Sequence, residues 1–159
     1  MRRSLHSIFF ICTLLGLIVF CGAAPKLTVG ATETVTVEEV GLTFKARVDT
    51  GAKTTSIHAE DIQISPSEDP RGQAISFLLV NKAGESKKVS GVVAEVATIK
   101  TSEGSEERYK VPLTIIWGDT KKTVLVTLNN RERMQFALLL GRNWLHDDFI
   151  VDVDINNPD

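Results

Sequence analysis

The segment best suited to chemistry is a short acidic turn. Asp49-Thr50-Gly51-Ala52 follows a run in which Leu42, Phe44, Ala46 and Val48 are apolar at every second place. A glycine two places after an aspartate lets the chain turn sharply, exposes the carboxylate and leaves room for another backbone to approach. Two carboxylates held close together cannot both ionise. They share a proton, so that one can act as a general base on water while the other donates to a carbonyl oxygen. The sequence carries one Asp-Thr-Gly; Asp69, Asp119, Asp147, Asp148, Asp152 and Asp154 all lack the hydroxyl-glycine pair. The second carboxylate would therefore come from a second copy related by a twofold axis. The same residues also suit a plain Asx turn that ends a strand.

A second segment, Leu138-Leu139-Leu140-Gly141-Arg142-Asn143, is an apolar strand that stops at glycine and passes into a short helix. Other chemistries are poorly supplied. Cys12 and Cys21 both lie near the N-terminus, and beyond them only His58 and His146 could ligate zinc in the usual way. There is no H-E-x-x-H helix and no G-x-x-x-x-G-K-[ST] loop, so neither a zinc site nor a nucleotide site is expected, nor any other cofactor. His58 reads as a strand or turn residue near the acidic turn, and His146 as a helix-surface residue.

Strands must position these groups. Val35 and Val37 alternate before Glu38–Gly41, and Leu42 to Val48 alternate after it, which predicts an opening hairpin that delivers Asp49. Further strands are expected at Ala74–Val80, Lys87–Lys100, Arg108–Trp117, Thr123–Leu128, Phe136–Leu140 and Phe149–Val153, and the best local helix at Asn143–Asp148. The pattern is an all-β barrel or sandwich in one domain.

Met1 to Ala24 has a different character. Arg2 and Arg3 precede an apolar run from Ile8 to Phe20, and Cys21-Gly22-Ala23-Ala24 supplies small residues. Residues 1–24 are expected to be a signal peptide or N-terminal anchor, residues 25–33 a linker and residues 34–159 the functional domain. The protein would be exported, periplasmic or secreted, or tethered to the membrane through residues 8–24. Without Arg2 and Arg3 there remain 16 basic against 20 acidic side chains, a formal charge of −4. That balance argues against nucleic acid as a partner.

The two blocks resemble a family when read together. Val48-Asp49-Thr50-Gly51-Ala52-Lys53-Thr54-Thr55-Ser56-Ile57-His58-Ala59, with Asn130 to Phe136 leading into Leu139-Leu140-Gly141-Arg142, is similar to retropepsin-like aspartic proteases. The match is to the bacterial RimB-like branch often labelled ATP-dependent zinc protease. The resemblance spans about residues 34–154 and implies a closed β-barrel with a short helix after Leu-Leu-Gly-Arg-Asn. It implies Asp49 as the catalytic acid of a homodimer, and Thr50, Gly51, Ala52 and Thr54 as the active-site loop. Thr50 would join the paired loops, Gly51 would admit substrate backbone, and Gly141, Arg142 and Asn143 would give support. Where viral retropepsins carry an acid to pair with the arginine, this chain has Lys53, so Arg142 is expected to use Glu60 or Asp61 instead. A covering flap is expected within Val80 to Glu107, at the Asn81–Gly84 turn or the Glu103–Glu107 turn. The implied activity is hydrolysis of a peptide or protein substrate, with an ATP-grasp ligase system as a functional partner. The alternative is an envelope module on the same fold that binds peptide or protein without cleaving it.

Overall fold

The computed structural model describes residues 25–101 and 104–155. The expected leader at residues 1–24 and Glu103 of the expected acidic turn lie outside the described residues.

The opening hairpin forms as its alternation requires. Strands β2 (Thr32–Val37) and β3 (Leu42–Val48) pair antiparallel. Val35, Val37, Leu42, Phe44, Ala46 and Val48 are buried, while Thr34, Thr43 and Arg47 face solvent. Gly41 turns the chain at a φ of 62°, which a side chain would strain. Strand β4 (Thr55–Ile64) follows the acidic turn, and β5 (Ala74–Val80) and β6 (Ser86–Val92) continue from it as antiparallel neighbours. Next come β7 (Glu95–Thr101), the long β8 (Gly104–Trp117), β9 (Thr120–Asn129) and β10 (Leu138–Leu140). Helix α1 (Arg142–Leu145) and β11 (Phe149–Val151) complete the described chain.

Six of these strands close a barrel in the order β3, β2, β8, β9, β4, β10 and back to β3. β10 performs the closure by running parallel to β3 and antiparallel to β4, with Leu138 opposite both Ala46 and Ile57. The all-β barrel and its short helix are as expected. Its interior is apolar, and Ile57, Leu113, Val126, Leu138 and Leu140 are at most 2% exposed. Under the barrel, Trp144 stacks on Phe149 at 4.1 Å, and Trp117 meets the same ring edge-on at 5.7 Å.

Several boundaries differ from the expected ones. Residues 25–33 are more than a linker: β1 (Leu27–Val29) pairs parallel with β11, Val29 is fully buried, and β2 begins at Thr32. Three residues are too few to show a period. The expected strand Lys87–Lys100 breaks at Val93-Ala94, where the chain exchanges Gln73 for Lys110 as its hydrogen-bond partner. The helix starts one residue early and is short, with Asp147 taking a left-handed φ of 70° just beyond it.

Candidate active site

Asp49 leaves the end of β3, and its own N–H donates to the Leu140 carbonyl at 2.9 Å. Its carboxylate then folds back on the turn. Oδ1 accepts the Gly51 N–H at 2.9 Å and the Ala52 N–H at 3.2 Å. A β-carbon on Gly51 would stand 3.1 Å from that same oxygen, a tight contact that the carboxylate would have to relieve by shifting a few tenths of an ångström. Asp49 is half-buried, and Thr50 and Gly51 are exposed beside it. The carboxylate is thus fixed by two backbone donors while the loop around it stays open.

The other side of the loop rests on the β10–α1 corner. Four consecutive carbonyls, Thr50 to Lys53, accept hydrogen bonds from two residues. Arg142 Nη1 donates to Thr50 at 3.0 Å and to Gly51 at 2.8 Å. The Arg142 N–H donates to Ala52 at 2.8 Å, and the Asn143 N–H to Lys53 at 3.2 Å. Asn143 continues the network: Oδ1 accepts from the N–H and hydroxyl of Thr55, and Nδ2 donates to the Leu125 carbonyl. The Thr55 hydroxyl in turn accepts the Gly141 N–H at 3.1 Å. Gly141 has no room for a side chain, because a β-carbon there would lie 2.6 Å from the Thr54 carbonyl carbon. The two sequence blocks, nearly ninety residues apart, therefore form one hydrogen-bonded unit.

This geometry corrects the expected carboxylate partner of Arg142. The guanidinium binds loop carbonyls directly, so it needs neither Glu60 nor Asp61. Glu60 lies 3.0 Å from His58, and Asp61 sits in an irregularity between β4 and β5 with a φ of 49°. Lys53 instead shares a surface cavity of ≈ 340 Å³ with Glu95 and Lys110. The Lys110 hydrogen bond holds the Glu95 carboxyl below the ordinary range, with Lys53 adding to the effect against desolvation.

Sequence reasoning missed Thr55 and Arg131, and placed His58 in a strand or turn without its contacts. Thr55, rather than its neighbour Thr54, carries the junction; Thr55 is fully buried, and its parity with Ile57 and Ala59 was the available signal. His58 is buried at 4% exposure, and its Nδ1 accepts the Arg131 N–H at 3.0 Å. That fixes the proton on Nε2, which donates to Glu60. Arg131 itself, on the loop between β9 and β10, was not singled out. Its side chain is held below the usual arginine range by partial burial and by the positive charge of Arg108, with Asp49 acting in the opposite sense.

A closed barrel whose Asp-Thr-Gly loop is braced by the strand-to-helix corner defines a retropepsin-like domain. The chain belongs to the RimB-like family, described as retropepsin-like aspartic endopeptidase RimB, which matches residues 28–157. It is 35% identical over 133 residues to a protein of Shewanella pealeana named probable alpha-L-glutamate ligase. A protein of the same name from Desulfotalea psychrophila is 33% identical over 132 residues. Each match covers 80% of this chain, which spans only 28% of the relative's length. A crystal structure of a Legionella pneumophila protein of unknown function superposes with a TM-score of 0.67 at 31% identity. That match covers 81% of this chain and 95% of the other.

Proposed function

We propose that the protein is an exported, homodimeric aspartic endopeptidase in which two Asp49 carboxylates, one from each copy, share a proton and activate a water. The observation that carries this reading is the fixed, open carboxylate of Asp49, held by two backbone donors on a loop whose carbonyls are all braced from behind. Such rigidity is what general acid-base chemistry at a carbonyl requires. Thr50, exposed at the loop tip, joins the two loops across the twofold axis, and Gly51 and Ala52 pass the substrate backbone. The β7–β8 hairpin covers the bound chain. The other candidate turn, Asn81–Gly84, is instead tied down: Asn81 donates to the Thr43 carbonyl and Lys82 to the Glu132 carbonyl.

A dimer also accounts for the apolar surface beside the loop. Among the described residues β1 and β11 make a two-stranded sheet, and Leu27, Ile150 and Val153 near it are 44%, 55% and 70% exposed. Next to them a cavity of ≈ 380 Å³ reaches from Phe149 and Leu145 to Thr50 and Arg142. An isolated strand pair with exposed apolar side chains is a surface suited to association.

The names of the relatives suggest the substrate: peptide chains carrying α-linked glutamate of the kind a glutamate ligase makes, with an ATP-grasp ligase as the functional partner. Arg131, whose charge is coupled to that of Asp49, suits an acidic chain. Cleavage of a peptide library by the wild-type chain but not by Asp49→Asn tests the endopeptidase reading. Export is tested separately by fusing residues 1–32 to a reporter active only outside the cytoplasm. A signal from that fusion is expected, and a fusion active only as a cytoplasmic reporter would refute it.

A further inference from the structure

A cavity of ≈ 340 Å³ lies where the Asp49 loop runs into β4, and three parts of the chain wall it. The loop supplies Lys53 and Thr54, the base of the β7–β8 hairpin supplies Glu95 and Lys110, and β9 supplies Val124 and Leu125. Glu95 and Lys110 stand opposite each other in the hairpin register, and Lys110 Nζ donates to Glu95 Oε2 at 2.8 Å. Lys110 is the more enclosed of the two, its side chain 19% exposed against 52% for Glu95. Asn143 fixes the loop wall to the strand wall. Its N–H donates to the Lys53 carbonyl at 3.2 Å, and its Nδ2 to the Leu125 carbonyl at 2.8 Å.

Charge in this cavity does not balance. Two ammonium groups and one carboxylate line it, and the Lys53 ammonium has no hydrogen-bond partner among the described residues. Lys110 gives Glu95 one of its three N–H donors. The excess of one positive charge fits one further carboxylate, and Glu95 shows how such a group is held: against the Lys110 ammonium, at the distance of a charge-assisted hydrogen bond. The apolar side chains of Val124 and Leu125 suit the methylene stem that would carry it.

Position says whose carboxylate this would be. Lys53 comes four residues after Asp49, so their Cα atoms are at most about 14 Å apart. The carbonyls from Thr50 to Lys53 are all braced, which fixes that separation. We infer that the cavity takes an acidic side chain of the bound peptide, a glutamate or aspartate within about four residues of the bond at Asp49. Lys53 and Lys110 are the cations that receive it, and Glu95 is the competitor it displaces from Lys110. The assignment rests on the endopeptidase reading for the bond beside it, whereas the charge preference needs only binding.

The test is therefore binding, which does not depend on turnover. The full chain carrying Asp49→Asn is titrated against a fluorescent oligoglutamate peptide and its glutamine counterpart. The glutamate peptide should bind about tenfold or more tightly than the glutamine one, the range of a charge-assisted hydrogen bond. Adding Lys53→Gln or Lys110→Gln should bring the two affinities within about twofold. Glu95→Gln should act in the opposite direction and widen the preference by about threefold or more, because Lys110 is then open to the ligand. A merely structural role would not move the preference both ways. Equal affinities for the two peptides, whether both bind or neither, overturn the inference. So does a preference that survives Lys53→Gln, or one that Glu95→Gln leaves unchanged or lowers. Charge-selective binding with the expected response to all three substitutions, in a chain whose wild type cleaves neither peptide, upholds the cavity and ends the endopeptidase reading. Asp49-dependent cleavage of both peptides with equal affinities ends the subsite alone.

Discussion

Asp49→Asn should lower peptide cleavage by roughly a hundredfold to ten thousandfold, the range of general acid-base catalysis. The amide oxygen of asparagine can still accept from Gly51 and Ala52, so the turn and the fold should persist. What is lost is the pair of carboxylates able to hold one proton between them and take another from water. The variant should dimerise at least as well, because two neutral amides do not repel across the axis. The same requirement shapes the pH profile of the wild type. Its rate should fall at low pH where both members of the pair hold protons, and fall again once both have lost them. Initial rates of the two chains on one peptide library, from acid to neutral pH and at dimer-forming concentration, check this. Equal rates would end the endopeptidase reading.

Asp49 was legible because its signal is contiguous. A strand of period two, an acid, a hydroxyl and a glycine fall within a few residues, and local geometry alone gives them meaning. Leu138 to Arg142 was legible for a similar reason, and the barrel followed from alternation in strand after strand. Contacts decided only by closure were not readable. Arg142 was expected to seek a carboxylate, yet β10 lies between β3 and β4 and sets its guanidinium under the carbonyls of Thr50 and Gly51. Arg131 looked like one charge in a polar loop, because its surroundings come from β4, β8 and the β5–β6 turn. β1 escaped notice because its partner strand lies more than a hundred residues away.

Gly141→Ala should have the second largest effect. The added carbon would meet backbone atoms of Thr54 and Thr55 at 2.6 to 2.8 Å, and backbone cannot swing aside as a long side chain can. Overpacking of this kind costs about 1–3 kcal/mol. In a domain of this size that lowers the unfolding midpoint by several degrees. Activity should suffer more than stability, since relief of the clash separates the β10–α1 corner from the loop that carries Asp49. A displacement of about 1 Å is enough to cost on the order of a hundredfold in rate. Gly91→Ala is the control, because nothing lies within 4 Å of where its β-carbon would stand and its φ is not left-handed. Thermal unfolding and rates measured side by side should separate the two variants. Equal midpoints and equal rates would contradict the close-packed corner.

The shared dyad is tested most directly by mixing the two chains. Wild-type protein is held at a concentration where it is fully dimeric, allowed to exchange with an equal amount of Asp49→Asn, and assayed on a peptide that the wild type cleaves. If each site needs one Asp49 from each copy, half of the wild-type chains become trapped in mixed dimers, and activity should fall to about half, then further as more variant is added. Activity that stays constant while exchange into mixed dimers is confirmed would show that one chain carries a complete site, and would contradict the account.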